Sequence, residues 1–127
     1  TLFKLGRVFG ITASELLALA ESRTAMRTRA THYRSGDFSF RRIDFANVDC
    51  YHGLAQRGER VIRPEIHHDD YEICWILNGT VRVTLPKERY DLAAGEALQF
   101  DAVLEHAYEA LSDCELIILH LRKDKRF

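Results

Sequence analysis

The stretch HHDDYEICWILNG, residues 67–79, decides the fold that we expect for this chain. From Glu72 onward its residues are typical of a β-strand, in which side chains point alternately to the two faces. Glu72 would share one face with Cys74 and Ile76, while Trp75 would lie on the other. Because a carboxylate fits the polar mouth of a barrel better than an apolar layer, we expect the face of Glu72 to point inward.

The chain from Phe38 onward repeats short apolar runs separated by turn residues. Turns are indicated at Asn78-Gly79 and Ala94-Gly95, because glycine-containing pairs favour tight connections between strands. Strands of this length and spacing predict an antiparallel sandwich or small barrel. The expected fold class is therefore mainly β.

The composition is that of a single globular domain, with 127 residues of which 46% are hydrophobic and 29% charged. The sequence has no apolar run of the roughly 20 residues needed to cross a bilayer, and its first residues lack the layout of a secretion signal. We therefore expect a cytoplasmic protein that does not act on membranes. It also lacks a phosphate loop, a C-x-x-C pair and the residue order of a serine hydrolase. These absences argue against a P-loop nucleotide-binding protein, a C-x-x-C zinc site and a nucleophilic hydrolase.

Charge is distributed unevenly along the chain. Residues 1–35 hold six Lys or Arg against two Glu, a net of +4, whereas residues 36–127 hold twelve basic and seventeen acidic side chains, a net of −5. Residues 22–36, SRTAMRTRATHYRSG, contain four arginines and no acid. This pattern predicts a basic linker over 22–36 that separates two parts with different partners.

The first part of the chain, residues 1–21, predicts two short α-helices. Gly10 is placed to end the first helix, and Thr12 with Glu15 forms the T-x-x-E capping box of the second. Two such helices bury too little surface to be stable alone. We expect them to be the C-terminal end of a larger domain that continues upstream of Thr1, with a complete small helical hairpin as the alternative.

The β part resembles the cupin superfamily, whose two motifs read G-x5-H-x-H-x3-4-E-x6-G and G-x5-P-x-G-x2-H-x3-N. This chain offers His68-x3-Glu72-x6-Gly79 and, downstream, Gly95-x10-His106. The resemblance implies a cupin-type double-stranded β-helix over residues 37–127. The chain departs from the motifs at four positions, which carry Ile66, Asp101, Val103 and Ala110.

The resemblance also implies a ligand set made of His68, Glu72 and His106. Two imidazoles and a carboxylate suit a divalent metal ion such as Zn, Fe, Mn or Ni. The fourth family ligand is missing, and His67 is an alternate to His68 if the chain bends before Glu72. The other interpretation is that these groups line a pocket that binds an organic ligand without metal.

The positions of other polar residues along the predicted strands indicate whether they face the cavity. Tyr108 has the parity of His106, so its hydroxyl could donate a hydrogen bond to a ligand in the same cavity. Gln99 is a further candidate for a polar wall. Three histidines have no partner at ligand spacing and are expected at the surface or at hydrogen-bonded polar positions, namely His32, His52 and His120.

The stretch TLFKLGRVFGITASELL, residues 1–17, resembles the end of the phage-repressor-like (XRE) helix-turn-helix domain. In that family the base-reading helix precedes these residues, so DNA would be bound by the full-length helix-turn-helix domain. A helix-turn-helix end, a basic linker and a cupin barrel, in this order, are similar to bacterial one-component regulators.

We therefore expect a non-enzymatic protein with no catalytic residues: the sensor part of a transcriptional regulator that binds a small effector, with or without a metal. The main alternative is a metal-dependent cupin enzyme such as a dioxygenase or isomerase. A third possibility is a dimerisation module with an empty barrel. A homodimer is expected in any case, because Ile73, Trp75 and Leu77 would form an apolar outer face that needs covering.

Overall fold

The computed structural model describes residues 25–62 and 70–123, and residues 29–123 belong to one compact unit. Ten β-strands in this part form two sheets in which all neighbours are antiparallel. The larger sheet contains, in spatial order, β1 (Thr31–Ser35), β2 (Phe38–Asp44), β3 (Val48–Ala55), β10 (Cys114–Arg122), β5 (Asp70–Asn78) and β8 (Ala97–Asp101). The smaller sheet contains β4 (Arg60–Val61), β9 (Ala107–Ala110), β6 (Thr80–Thr84) and β7 (Arg89–Ala93).

The inner faces of these strands form the hydrophobic core. Along β5, Glu72, Cys74 and Ile76 are buried whereas Trp75 is 45% exposed, which confirms the alternation predicted from the sequence. Apolar side chains of both sheets complete the core, and the fully buried ones include Phe38, Leu116, Val81 and Val83. The mainly β prediction is confirmed.

Strand β10 lies in the middle of the larger sheet, between β3 and β5. Its register with β5 places Ile118 beside Cys74 and His120 beside Glu72. Both members of each pair point inward, because residues opposite each other on neighbouring strands share a face. This register brings the last histidine of the chain to the glutamate.

Two glycines of the motifs occupy turns that only glycine adopts without strain. Gly79 connects β5 to β6 with φ of 80°, and Gly95 connects β7 to β8 with φ of 91°. A side chain at Gly79 would also collide with backbone, since its Cβ would overlap the carbonyl oxygen of Asp113. At Gly95 a Cβ would meet no atom within 4 Å. A substitution at Gly79 would therefore meet both backbone strain and a steric collision, whereas a substitution at Gly95 would meet backbone strain alone.

The helical part of the fold prediction requires correction. The part of the chain that the structure describes consists of strands, turns and irregular segments and contains no helix. The two expected helices, over residues 1–21, fall outside the described residues. Within the segment predicted as a basic linker, Thr31–Ser35 forms β1, because Tyr33 packs its ring on those of Phe40 and Tyr51.

None of the described residues forms a helix long and apolar enough to span a membrane.

We predict that Gly79→Ala lowers the free energy of unfolding by more than about 3 kcal/mol, because strain at positive φ and collision with the Asp113 carbonyl add together. Gly95→Ala is the matched control, with the same strain but open space, and should cost only about 1 to 2 kcal/mol. Urea unfolding followed by circular dichroism measures both. Equal losses for the two variants would show that the predicted collision is absent.

Candidate functional site

The site is built around Glu72, whose side chain is only 3% exposed. On the neighbouring strand, His120 contacts it, and Nε2 of His120 lies 2.8 Å from Oε1 of the carboxylate. A carboxylate only accepts hydrogen bonds, so Nε2 carries the proton and donates it. Strand pairing between β5 and β10 thus supplies the first hydrogen bond of the buried charge.

The second hydrogen bond comes from the opposite sheet. Tyr108, on β9, is 3% exposed and its hydroxyl donates to Oε2 of Glu72. Burial and the adjacent Glu72 charge raise the pKa of Tyr108 well above its ordinary value. The phenol therefore keeps its proton and acts as a permanent donor, which connects the two sheets through one carboxylate.

The histidines determine the ionisation of Glu72. Burial alone would raise its pKa, but the neighbouring imidazoles of His106 and His120 lower it to about 2. A carboxyl with this pKa is ionised throughout the neutral range. At neutral pH, Glu72 is therefore a fixed negative charge and not a proton carrier.

His106 lies in the connection before β9, and its side chain is 6% exposed. Its Nδ1 is 2.6 Å from the carbonyl oxygen of Leu104. Because that oxygen only accepts, Nδ1 carries the proton in the neutral ring and Nε2 presents its lone pair. Nε2 is buried and has no hydrogen-bond partner, although it lies 3.4 Å from Oε1 of Glu72.

The environment of His106 favours its charged form. Burial lowers the pKa of the imidazole, but Glu72 and the Leu104 carbonyl raise it more, so that the net pKa lies above the ordinary value. A protonated ring forms an ion pair with Glu72. In the neutral ring, by contrast, the Nε2 lone pair faces a carboxylate oxygen, and a donor or cation between them would remove the repulsion.

Two cavities border this cluster. The inner one, about 30 Å³, is lined by Glu72, His120 and Tyr108 together with aromatic side chains of β1 to β3. The outer one, about 710 Å³, is lined by His106, Thr84 and Glu105 and by apolar residues, most of them in the surrounding loops. Because His106 borders the outer cavity and contacts Glu72 of the inner one, its ring stands between them.

The structure brings three of the predicted site residues together: Glu72, His106 and Tyr108. It does not bring Gln99 to them, because this residue is exposed on the face of β8 opposite to Phe100. The predicted ligand His68 and its alternate His67 lie outside the described residues.

The structure adds His120 to the site, a position that the sequence pattern does not assign to it. Its strand, CELIILHLR, alternates buried and half-buried side chains, so the parity of Leu116, Ile118 and His120 was a signal for an inward position. What the sequence could not supply was the neighbour, because only the pairing of β10 with β5 places His120 beside Glu72.

A metal ion is what the family resemblance implies for this cluster. Among residues 25–62 and 70–123, no three His, Cys, Asp or Glu side chains form a group that could hold one. Both oxygens of Glu72 are hydrogen-bonded already, and His120 uses Nε2 for one of these bonds. Within the described part of the chain, Nε2 of His106 is the one buried side-chain nitrogen or oxygen without a hydrogen-bond partner. The described residues by themselves therefore do not fit a metal, and we derive no chemical step through one.

The pKa of Glu72 predicts a pH effect on stability. Its folded-state pKa of about 2 lies below the ordinary 4.5, so the contribution is present above pH 4.5 and is lost as the pH falls toward 2. In wild type this loss should be on the order of 3 kcal/mol. It should be absent from the pH dependence of Glu72→Gln, measured by urea unfolding at each pH. Parallel profiles for the two proteins would contradict the low pKa.

Comparison with known proteins identifies one family and many solved structures with a similar fold. The family model described as Cupin domain matches residues 54–121. No curated protein matches the chain. Among solved structures, a Cupin 2 conserved barrel domain protein from Salinispora arenicola has 15% identity and a TM-score of 0.63, covering 77% of this chain and 90% of that one.

Two further structures are similar at the same level. KdgF from Halomonas sp. has 19% identity and a TM-score of 0.62, covering 76% of this chain and 90% of its own. Bacillus subtilis oxalate decarboxylase, a protein with Mn(II) centres, has 16% identity and a TM-score of 0.62, covering 78% of this chain and 31% of its own. At these identities the likeness concerns the fold alone. Because the family match spans more than half of the 127 residues, the chain belongs to the cupin family.

Proposed function

We propose that this chain is the effector-sensing barrel of a bacterial transcriptional regulator, and that a small molecule binds in the outer cavity next to His106. The observation that carries the proposal is a fixed buried charge directly beneath an open pocket with apolar walls. Ligand sites in proteins commonly combine a concave apolar surface with a few well-placed polar groups. The cluster of Glu72, His106, Tyr108 and His120 supplies the polar groups, and the loops supply the walls.

Two of the buried polar groups, Glu72 and Tyr108, are suited to binding a ligand and not to proton transfer. A general acid or base works best when its pKa lies near the working pH. Glu72 has a pKa of about 2, and Tyr108 has a pKa well above its ordinary value. Neither group exchanges a proton near neutral pH. A metal set of His68, Glu72 and His106, and with it the enzyme alternative, stays a prediction because His68 is outside the described residues.

Two sequence features support the regulator part of the proposal. The stretch 1–17 resembles the end of phage-repressor-like helix-turn-helix domains, and residues 22–36 carry four arginines between it and the barrel. In such a protein the effector acts by population shift, since it favours the arrangement of barrels and DNA-binding domains that contacts it best. A cytoplasmic location is part of the same proposal.

The regulator would be a dimer, and the larger sheet offers a surface for it. On its outer face Tyr71 and Trp75 are 41% and 45% exposed. The pairing of β10 with β5 places half-buried Ile117 beside Trp75 and Leu119 beside Ile73. A contiguous apolar face across two strands is typical of a protein interface. We propose that a second copy of the chain covers it in an isologous contact.

We predict that Trp75→Lys converts the dimer to a monomer at micromolar concentration, because it places a charge in the centre of the apolar face. Val103→Lys is the control, since Val103 is 61% exposed but lines the outer cavity. Light scattering coupled to size exclusion measures both. A parent protein that is already monomeric at these concentrations would rule out this interface.

The DNA-binding part is tested with the natural full-length protein and the DNA segment upstream of its own gene. We expect it to bind this segment at least about tenfold more tightly than a shuffled segment of equal length at the same salt concentration. Fluorescence anisotropy measures the two affinities. Equal affinities for the two segments would remove the regulator proposal, whatever the barrel binds.

A further inference from the structure

Three exposed arginines, which we call the arginine strip, lie at one edge of the larger sheet. Arg29 precedes β1 by two residues, Arg34 lies on β1 and Arg41 lies on β2. None of them forms an ion pair with a residue that the structure describes, whereas Arg82 on the smaller sheet is paired with Asp91. The strip therefore presents positive charge that the described part of the barrel does not neutralise.

The strand register explains why these arginines lack partners. Arg41 lies opposite His32 on β1 and opposite His52 on β3. Arg34 lies opposite Ser39 on β2. Because side chains pair with the residues directly opposite them, neither arginine meets an acid across the strands. Arg34 and Arg41 are instead diagonal neighbours on one face, with Cβ atoms roughly 7 to 8 Å apart.

Acids on neighbouring parts of the sheet have partners of their own. Glu115, on β10, binds the imidazole of His52 at 2.6 Å and accepts a hydrogen bond from the Asn78 amide at 2.8 Å. Asp37, in the turn between β1 and β2, accepts a hydrogen bond from the backbone N–H of Arg60 at 3.0 Å. Both carboxylates are thus used locally, and the charge of the strip is left for a molecule from outside.

The strip is a basic exception on an acidic domain. Residues 36–127 carry a net charge of −5, whereas residues 1–35 carry +4. Exposed charges are screened beyond about 8 Å at physiological ionic strength, so a polyanion near the surface responds to the charges closest to it. Most of the barrel would repel it and the strip would attract it. The charge distribution therefore orients a polyanion toward the edge formed by β1 and β2.

We propose that the arginine strip contacts the phosphate backbone of the DNA to which the full-length regulator binds. This inference rests on the proposed function, because the resemblance of residues 1–17 to a helix-turn-helix end is the reason to choose duplex DNA among polyanions. A guanidinium group donates two parallel N–H bonds to a phosphate. Such contacts add affinity and fix orientation without reading sequence. The barrel would thus hold part of the DNA-binding surface as well as the effector site.

The strip stays accessible in the proposed dimer. The spatial order in the larger sheet is β1, β2, β3, β10, β5 and β8, and β1 has β2 as its one neighbour. Arg34 and Arg41 therefore lie at the margin of the sheet, whereas the apolar face around Trp75 lies on β5 and β10. A second copy centred on Trp75 leaves the margin uncovered.

The test uses the natural full-length protein and its Arg34→Gln/Arg41→Gln variant. Fluorescence anisotropy measures their affinities for the segment upstream of the gene and for a shuffled segment, at about 0.05 to 0.2 M salt. We expect the double substitution to weaken binding of both segments about tenfold at 0.1 M salt and to reduce the slope of log affinity against log salt by about 2. The preference between the segments should not change, because phosphate contacts carry no sequence information.

Lys87→Gln/Arg89→Gln is the matched control. It removes two exposed positive charges at the turn between β6 and β7, where Asp91 is close to Arg89. We expect this variant to bind DNA with the affinity and the salt slope of the parent. Thermal unfolding followed by circular dichroism checks that both variants fold. Equal losses of affinity in the two variants overturn the inference, because net charge and not the strip is then responsible.

Three other outcomes are decisive. Unchanged affinity and slope in the Arg34→Gln/Arg41→Gln variant overturn the inference, and self-association of this variant would then assign the arginines to protection of the open sheet edge. A weaker interaction with phosphatidylserine vesicles and an unchanged one with DNA also overturn it, in favour of a membrane surface. A parent that prefers neither segment removes the regulator proposal, but a loss of affinity and slope on substitution still supports phosphate contacts by the strip.

Discussion

The structure depends on the compensation of one buried charge. An ionised carboxylate transferred into a protein interior costs several kcal/mol unless donors replace its water. Glu72 obtains its donors from both sheets, His120 from β10 and Tyr108 from β9. A shift of β10 by one residue would place Leu119 or Leu121 beside the carboxylate, and looser packing of the sheets would withdraw the phenol. Strand register and sheet packing are thus linked through a single side chain.

Much of the larger sheet could be predicted from local pattern. The alternation of Glu72, Cys74 and Ile76 with Trp75 predicted which side chains of β5 point inward. Residues of a strand are buried alternately, and this period of two is visible in a single sequence. The two motif glycines are equally readable, since Gly79 and Gly95 occupy positive φ. These features depend on residues close together in the chain, and that is why a single sequence reveals them.

The pairing of strands that are distant in the chain could not be predicted from local sequence patterns. His120 had an inward parity, yet its partner lies 48 residues away and is selected only when β10 inserts between β3 and β5. Gln99 was placed near the site from its position in a strand, but its neighbour Phe100 takes the inner face of β8. A polar residue in a strand has two faces to choose from, and only the packing of its neighbours decides between them.

The strands hold the buried charge and the loops form the walls of the outer cavity, and this separation affects how such a protein can evolve. The residues that hold the charge lie mainly on β5, β9 and β10, whereas the outer cavity is walled by connections such as Leu85-Pro86 and Val103-Leu104. Substitutions in these connections alter the shape offered to a molecule without disturbing the paired strands. A duplicated gene could therefore acquire a new recognition specificity through a few loop mutations while inheriting an intact scaffold.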